Sequence, residues 1–148
     1  MKKLSKLLFI LFIVLSTTLI NGCTYGSGTT SMSVEVNTGS KMSMSYKKFT
    51  GYKATKLSVE KDQTVEVEVD IVSEAGKLDL VIEKENKGDD EGEQEKKGKP
   101  EKVYEGTDIP TSNFKVILEE PGKYIVKVTG DKHKGSYKIT WEEHDKKK

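Results

Sequence analysis

Arginine is absent from the 148 residues, and several other types are scarce: one Cys, one Trp, two His and three Pro. Each shortage excludes something. Without a guanidinium the chain lacks the bidentate donor that grips phosphate and reads guanine. With 25 Lys against 24 Asp and Glu it also lacks a basic field, so nucleic-acid binding is excluded on both counts. A single cysteine makes no intramolecular disulfide, so an apolar core has to hold the fold. Two histidines leave little for acid–base work. His133 shares a short stretch with Asp131 and Ser136, so a nucleophile, a base and an acid can be named. Three residues that close on one hairpin do not converge as a triad requires, and the expectation for His133 is a solvated loop position. His144 falls in a charged tail, and Glu66 and Glu68 are strand-face carboxylates expected to stay solvated. No His-Glu-x-x-His, Gly-x-Ser-x-Gly, phosphate loop or Gly-x-Gly-x-x-Gly occurs. The expectation is a chain that is not an enzyme.

What the sequence does have begins at its start. Lys2, Lys3 and Lys6 precede an unbroken apolar run from Leu7 to Leu15, and no acidic residue comes before Cys23. Uncharged residues 7–20 would span about 21 Å as a helix, short of the ~30 Å hydrocarbon core. A basic start, a short apolar centre and a small residue at the end describe a helical signal peptide over 1–22. Ile20-Asn21-Gly22-Cys23 resembles the bacterial lipoprotein signal, the lipobox. The resemblance implies cleavage between Gly22 and Cys23 and a diacylglyceryl lipid on the Cys23 thiol. Two acyl chains anchor a protein stably where one does not. The expected location is the outer face of the cell membrane, reached through Cys23. Three lysines would leave with the signal, so the mature part would carry 22 basic against 24 acidic residues.

After Cys23 the pattern has period two. Residues 23–45 are rich in Ser, Thr and Gly; 24–30 is expected to be a flexible tether. Met32, Val34 and Val36, then Met42, Met44 and Tyr46, alternate on either side of Asn37-Thr38-Gly39-Ser40 and suggest a short hairpin. A domain is expected over 46–142, with a charged tail at 143–148. Within it Leu57 and Val59, the run Val65, Val67, Val69 and Ile71, and then Leu78, Leu80 and Ile82 alternate with polar residues. Phe114, Val116 and Leu118 do the same, as do Tyr124, Val126 and Val128, and Tyr137, Ile139 and Trp141. Turns are expected at Lys61-Asp62-Gln63, Glu74-Ala75-Gly76 and Glu119-Glu120-Pro121-Gly122, and a glycine-bracketed loop at 130–135. No helix fits, since apolar residues at spacing two cover all sides of one. The fold class is therefore all-β: an antiparallel β-sandwich, jelly-roll-like, of seven or eight strands.

The stretch 85–101 is charged, holds three glycines and a proline, and is expected to be a mobile loop. Its Asp89, Asp90, Glu91 and Glu93 are the candidate calcium ligands. They lack the Asp-x-Asp-x-Asp-Gly spacing and sit among lysines, so no metal or other cofactor is expected.

Three phrases, Gly76-Lys77-Leu78-Asp79-Leu80-Val81-Ile82, Pro121-Gly122-Lys123-Tyr124-Ile125-Val126-Lys127-Val128 and Gly135-Ser136-Tyr137-Lys138-Ile139-Thr140, together resemble the bacterial pre-peptidase C-terminal domain. That is a secreted β-sandwich appended to exported hydrolases, and the resemblance spans roughly 53–141. Lys77 stands where that family often has an acid, so no calcium role carries over to it. The chain also resembles small lipoproteins of low-GC Gram-positive bacteria that carry this sandwich alone. The resemblance implies a fold and an exported setting, and no reaction. Tyr46, Phe49, Tyr52 and Tyr104 are the candidate ligand-facing aromatics, with core positions as the alternative. The functional expectation is a monomeric, membrane-anchored, non-catalytic binding or interaction module whose partner is an envelope protein or wall glycan. The alternative is an accessory domain that targets or regulates an exported hydrolase in trans; a hydrolase itself ranks last.

Overall fold

The structure, a computed structural model, describes residues 24–85 and 100–146. The expectations placed on the signal peptide, on Gly22 and Cys23, and on Asp89, Asp90, Glu91 and Glu93 lie outside the described residues. The described chain forms seven strands: β1 (Tyr25–Ser31), β2 (Val34–Thr38), β3 (Lys41–Val59), β4 (Gln63–Lys84), β5 (Glu101–Gly106), β6 (Ser112–Leu118) and β7 (Gly122–Asp145). Every pairing between them is antiparallel.

Strands β3, β4 and β7, at 19, 22 and 24 residues, are about three to four times the usual strand length, because each serves two half-sheets. The early part of β3, the late part of β7 and the early part of β4 form one half, flanked by β2 and β6. The late part of β3, the early part of β7 and the late part of β4 form the other, flanked by β1 and β5. The strand orders are β2-β3-β7-β4-β6 and β1-β3-β7-β4-β5. Counting the two parts of each long strand separately, and setting β1 and β2 aside as extra edges, leaves the paired four-stranded sheets of a jelly roll.

The sandwich closes because all three long strands slip phase at one level. On β3 the inward residues are Met42, Met44 and Tyr46, then Phe49, Thr55, Leu57 and Val59. On β4 they are Val65, Val67, Val69 and Ile71, then Leu78, Leu80 and Ile82. On β7 they are Tyr124, Val126 and Val128, then His133, Tyr137 and Ile139. Each series changes from even to odd numbers or the reverse. The pairing is irregular at the same points, between Tyr46 and Gly51 and between Ser73 and Lys77. One extra residue per strand is a β-bulge; it bends the strand and carries it from one sheet to the other. Gly76 (φ 72°) and Lys132 (φ 51°) supply the left-handed backbone this needs. The inward residues of both halves form one core. Burying each large aliphatic side chain there contributes about 1.5–3 kcal/mol relative to leaving it in water.

Four expectations change. Glu74-Ala75-Gly76 and the 130–135 segment do not reverse the chain; they are the corners of β4 and β7. Residues 25–31 are strand β1, paired in register with β3 from Tyr25 opposite Ala54 to Ser31 opposite Lys48, and not a flexible tether. The domain does not stop at 142, since β7 continues to Asp145 opposite Gln63. The hairpin of β2 and β3 forms, turning at Gly39-Ser40.

Candidate functional site

The corner of the sandwich holds the one buried histidine. The slip in β7 puts His133 in phase with Tyr137 and Ile139, so its ring points inward and is fully buried. It is therefore not the solvated loop residue its neighbours Asp131, Lys132 and Lys134 suggested. Its partners are not Asp131 and Ser136 either. Nδ1 lies 2.8 Å from the Tyr46 hydroxyl and Nε2 lies 2.9 Å from Ser73 Oγ. The Ser73 hydroxyl donates to the Ile109 carbonyl at 2.7 Å, so it accepts from Nε2–H. Nδ1 of the neutral ring then accepts from Tyr46. From Tyr46 through His133 and Ser73 to the Ile109 carbonyl, every donor has its acceptor. Burial pushes the His133 pKa below the usual histidine value, against the opposing pull of Glu74. Burial likewise pushes the Tyr46 phenol up.

This arrangement links the corners of all three long strands: Tyr46 on β3, Ser73 on β4 and His133 on β7. The Ser73 amide also donates to Thr111 Oγ1 at 2.9 Å, which ties in the connection before β6. Chemically it is a brace. An activated serine donates to its histidine; here Ser73 receives the proton-bearing nitrogen, and no carboxylate bonds to the imidazole.

The four candidate aromatics separate. Tyr46 and Phe49 are core residues, their rings 5.3 Å apart. Tyr104 faces inward, half-buried against Phe114 at 5.0 Å. Only Tyr52 lies on an outer face, that of the β1-β3-β7-β4-β5 half, with the Lys127 ammonium 5.3 Å from its ring centre. Tyr25, which the sequence pattern did not single out, is exposed on the same face. It sits opposite Ala54 while Ser27 sits opposite Tyr52, so the two tyrosines are diagonal neighbours. Lys127 is opposite Ala54 from the other side. Ala54 is buried although its side chain points outward.

The other outer face has a different character. Val34, Ser45, Ser136 and Val72 form one row across β2, β3, β7 and β4. Val36, Ser43, Lys138, Asp70 and Asn113 form the next. Val34 is 70% exposed and Val36, Val72 and Ile117 between 41 and 47%. Along the β2 edge, Glu35 turns to the inner side and meets Lys53 of the opposite half at 2.9 Å, while Asn37 Nδ2 donates to it at 2.7 Å. Burial would raise the Glu35 pKa, but its bonds to Lys53 and Asn37 outweigh that and hold it below the usual value. The Tyr137 hydroxyl and Thr55 Oγ1 are buried without a hydrogen-bond partner.

Among the described residues no three His, Cys, Asp or Glu side chains group as a metal site would require. No family model matches the chain, so the pre-peptidase C-terminal resemblance rests on its three phrases. No curated protein matches it. Similar solved structures include a carbohydrate-binding module of the β-sandwich superfamily, with a TM-score of 0.42 and 15% identity over 81% of this chain. This chain spans only 55% of that one. A family 11 carbohydrate-binding module from Clostridium thermocellum, in complex with a β-1,3-1,4-mixed-linked tetrasaccharide, has a TM-score of 0.43 and 16% identity over 84% of this chain and 88% of that one. The CBM22-1 xylan-binding domain of Paenibacillus barcinonensis Xyn10C has a TM-score of 0.39 and 14% identity over 86% and 85%. A likeness at this level does not establish a shared family.

Proposed function

We propose that the protein is an exported, lipid-anchored envelope protein whose sandwich is a non-catalytic interaction module for a protein partner. The anchor reading is supported by Ile20-Asn21-Gly22-Cys23 after a short apolar run, and by Cys23 being the only thiol in the chain. The non-catalytic reading is supported by His133, the sole buried histidine, being consumed in a brace. The single observation that favours a protein over a glycan is the outer face carrying Val34, Val36, Val72 and Ile117. Val34, Val36 and Val72 stand there with Ser43, Ser45 and Ser136 between them, Lys138, Asp70 and Asn113 beside them and Ile117 beyond the Glu68–Lys115 row. Among the described residues no Phe, Tyr or Trp ring is on that face. Sugars stack on aromatic faces; exposed aliphatic surface rimmed by polar groups is what protein interfaces cover. An accessory role toward an exported hydrolase is one form of this reading.

Crosslinking on intact cells followed by mass spectrometry tests it. The expected result is one repeatable protein partner whose recovery is lost when Val34 and Val36 are both replaced by Glu. Recovery of wall polymer alone, or of no partner at all, overturns it.

A further inference from the structure

The tether expected behind Cys23 does not exist as a spacer: strand β1 begins at Tyr25. Two peptide units separate Cys23 from Tyr25, so their Cα atoms lie within about 7.6 Å. A lipid on Cys23 would hold the sandwich against the headgroup layer with almost no slack. From this we propose, resting on the anchor reading above, that the outer face around Tyr25, Tyr52 and Lys127 docks on the membrane surface and recognises anionic phospholipid headgroups.

Three observations support that face over the others. First, Tyr25 and Tyr52 are diagonal neighbours on it, and tyrosine is a residue of the membrane–water interface, its ring apolar and its hydroxyl wet. Second, Lys127 and Lys123 are exposed on the β7 part of this face, nearer Tyr25 and Tyr52 than the acids Asp79, Glu83 and Glu105 on β4 and β5, and lysines at an anionic surface add attraction that falls off within a Debye length. Third, β1 is an edge strand that carries no charge. Residues 24–34 contain no Asp, Glu, Lys or Arg, and every residue of β1 is exposed. Edge strands open to water are normally blunted by charge or proline, and this one has neither. Cover by the headgroup layer accounts for an edge left in that condition. The opposite outer face, with Val34 and Val36, then points away from the bilayer and stays open to the partner.

The test uses the full chain, processed and purified with its lipid, in vesicles of phosphatidylglycerol and phosphatidylcholine containing a nitroxide-headgroup lipid. A tryptophan is added at an exposed position of each face, Tyr25→Trp or Val34→Trp, and the contribution of Trp141 is subtracted using the parent protein. Flotation of the protein with the vesicles is scored first. The docking model predicts quenching at position 25 several-fold stronger than at 34. It also predicts that replacing Lys123 and Lys127 by Gln lowers the ratio of docked to undocked protein by about fivefold for each lysine in phosphatidylglycerol. Flotation with equal quenching at both positions, or stronger quenching at 34, overturns the docked face and leaves the anchor standing. No flotation overturns the anchor, and docking with it. Emission at position 25 that responds to wall polymer fragments and not to vesicles overturns docking in favour of a glycan face.

Discussion

His133 shows how one position can be misread from its neighbours. Flanked by Lys132 and Lys134, it has the local composition of a solvated loop, yet it is fully buried. The legible clue was phase: counted back by twos from Ile139 and Tyr137, position 133 falls on the inward face. Its partners Tyr46 and Ser73 are 87 and 60 residues away, and no local pattern could have named them. A folded-state pKa below the unfolded value of about 6.5 means the unfolded chain takes up the proton first. The stabilisation is fully present above that value and is lost as pH falls through it toward the folded pKa. The unfolding free energy from urea titration should therefore drop between pH 7.5 and 5.5, with a slope from this group of at most about 1.4 kcal/mol per pH unit, and His133→Asn should flatten that dependence. A parallel loss in both proteins would contradict the brace. Thr55 makes the opposite case. Its hydroxyl is buried without a partner, so Thr55→Val should raise stability by about 1 kcal/mol in chemical denaturation.

At the level of strands, the alternating runs at 65–71, 78–82, 114–118, 124–128 and 137–141 all lie in strands, and the turns at 61–63 and 119–122 reverse the chain as expected. The segments 74–76 and 130–135 were legible as breaks in the period but not as corners. A turn and a bulge interrupt alternation in the same way and call on the same glycines. What separates them is whether the flanking runs pair with each other or continue past one another, and that is decided by tertiary partners. The expected tether failed for a related reason. Tyr25 to Ser31 has almost no apolar content, and its strand is held by ladder bonds to β3 instead of by side-chain burial. The corners should be sensitive to added bulk. A Cβ on Gly135 (φ 141°) would stand 1.8 Å from the Val72 carbonyl oxygen. Gly135→Ala should cost about 1–3 kcal/mol or more in unfolding free energy, measured against wild type by urea titration. A neutral result would show that the corner yields easily.

For the whole molecule, the two outer faces differ in character, and the two proposals assign them different contacts. One carries Tyr25, Tyr52 and Lys127 beside the point where the chain leaves toward Cys23; the other carries Val34, Val36 and Val72. The expected address rests on the sequence alone, where the basic start, the apolar run and the lone cysteine are contiguous. The partner was the least legible part of it. The aromatics most open to a ligand reading proved to be core at Tyr46 and Phe49, and the exposed Tyr25 stands outside any alternating run. If the sandwich does its work where the lipid holds it, Cys23→Ser should shift the protein from the membrane fraction to the soluble exported fraction while leaving its urea midpoint unchanged. The most direct measurement is the mass of the N-terminal peptide from protein extracted out of membranes. The account predicts a peptide that begins at Cys23 and carries a diacylglyceryl group on its sulfur. A peptide that begins at Met1, or one that contains Cys23 as a free thiol, would contradict it.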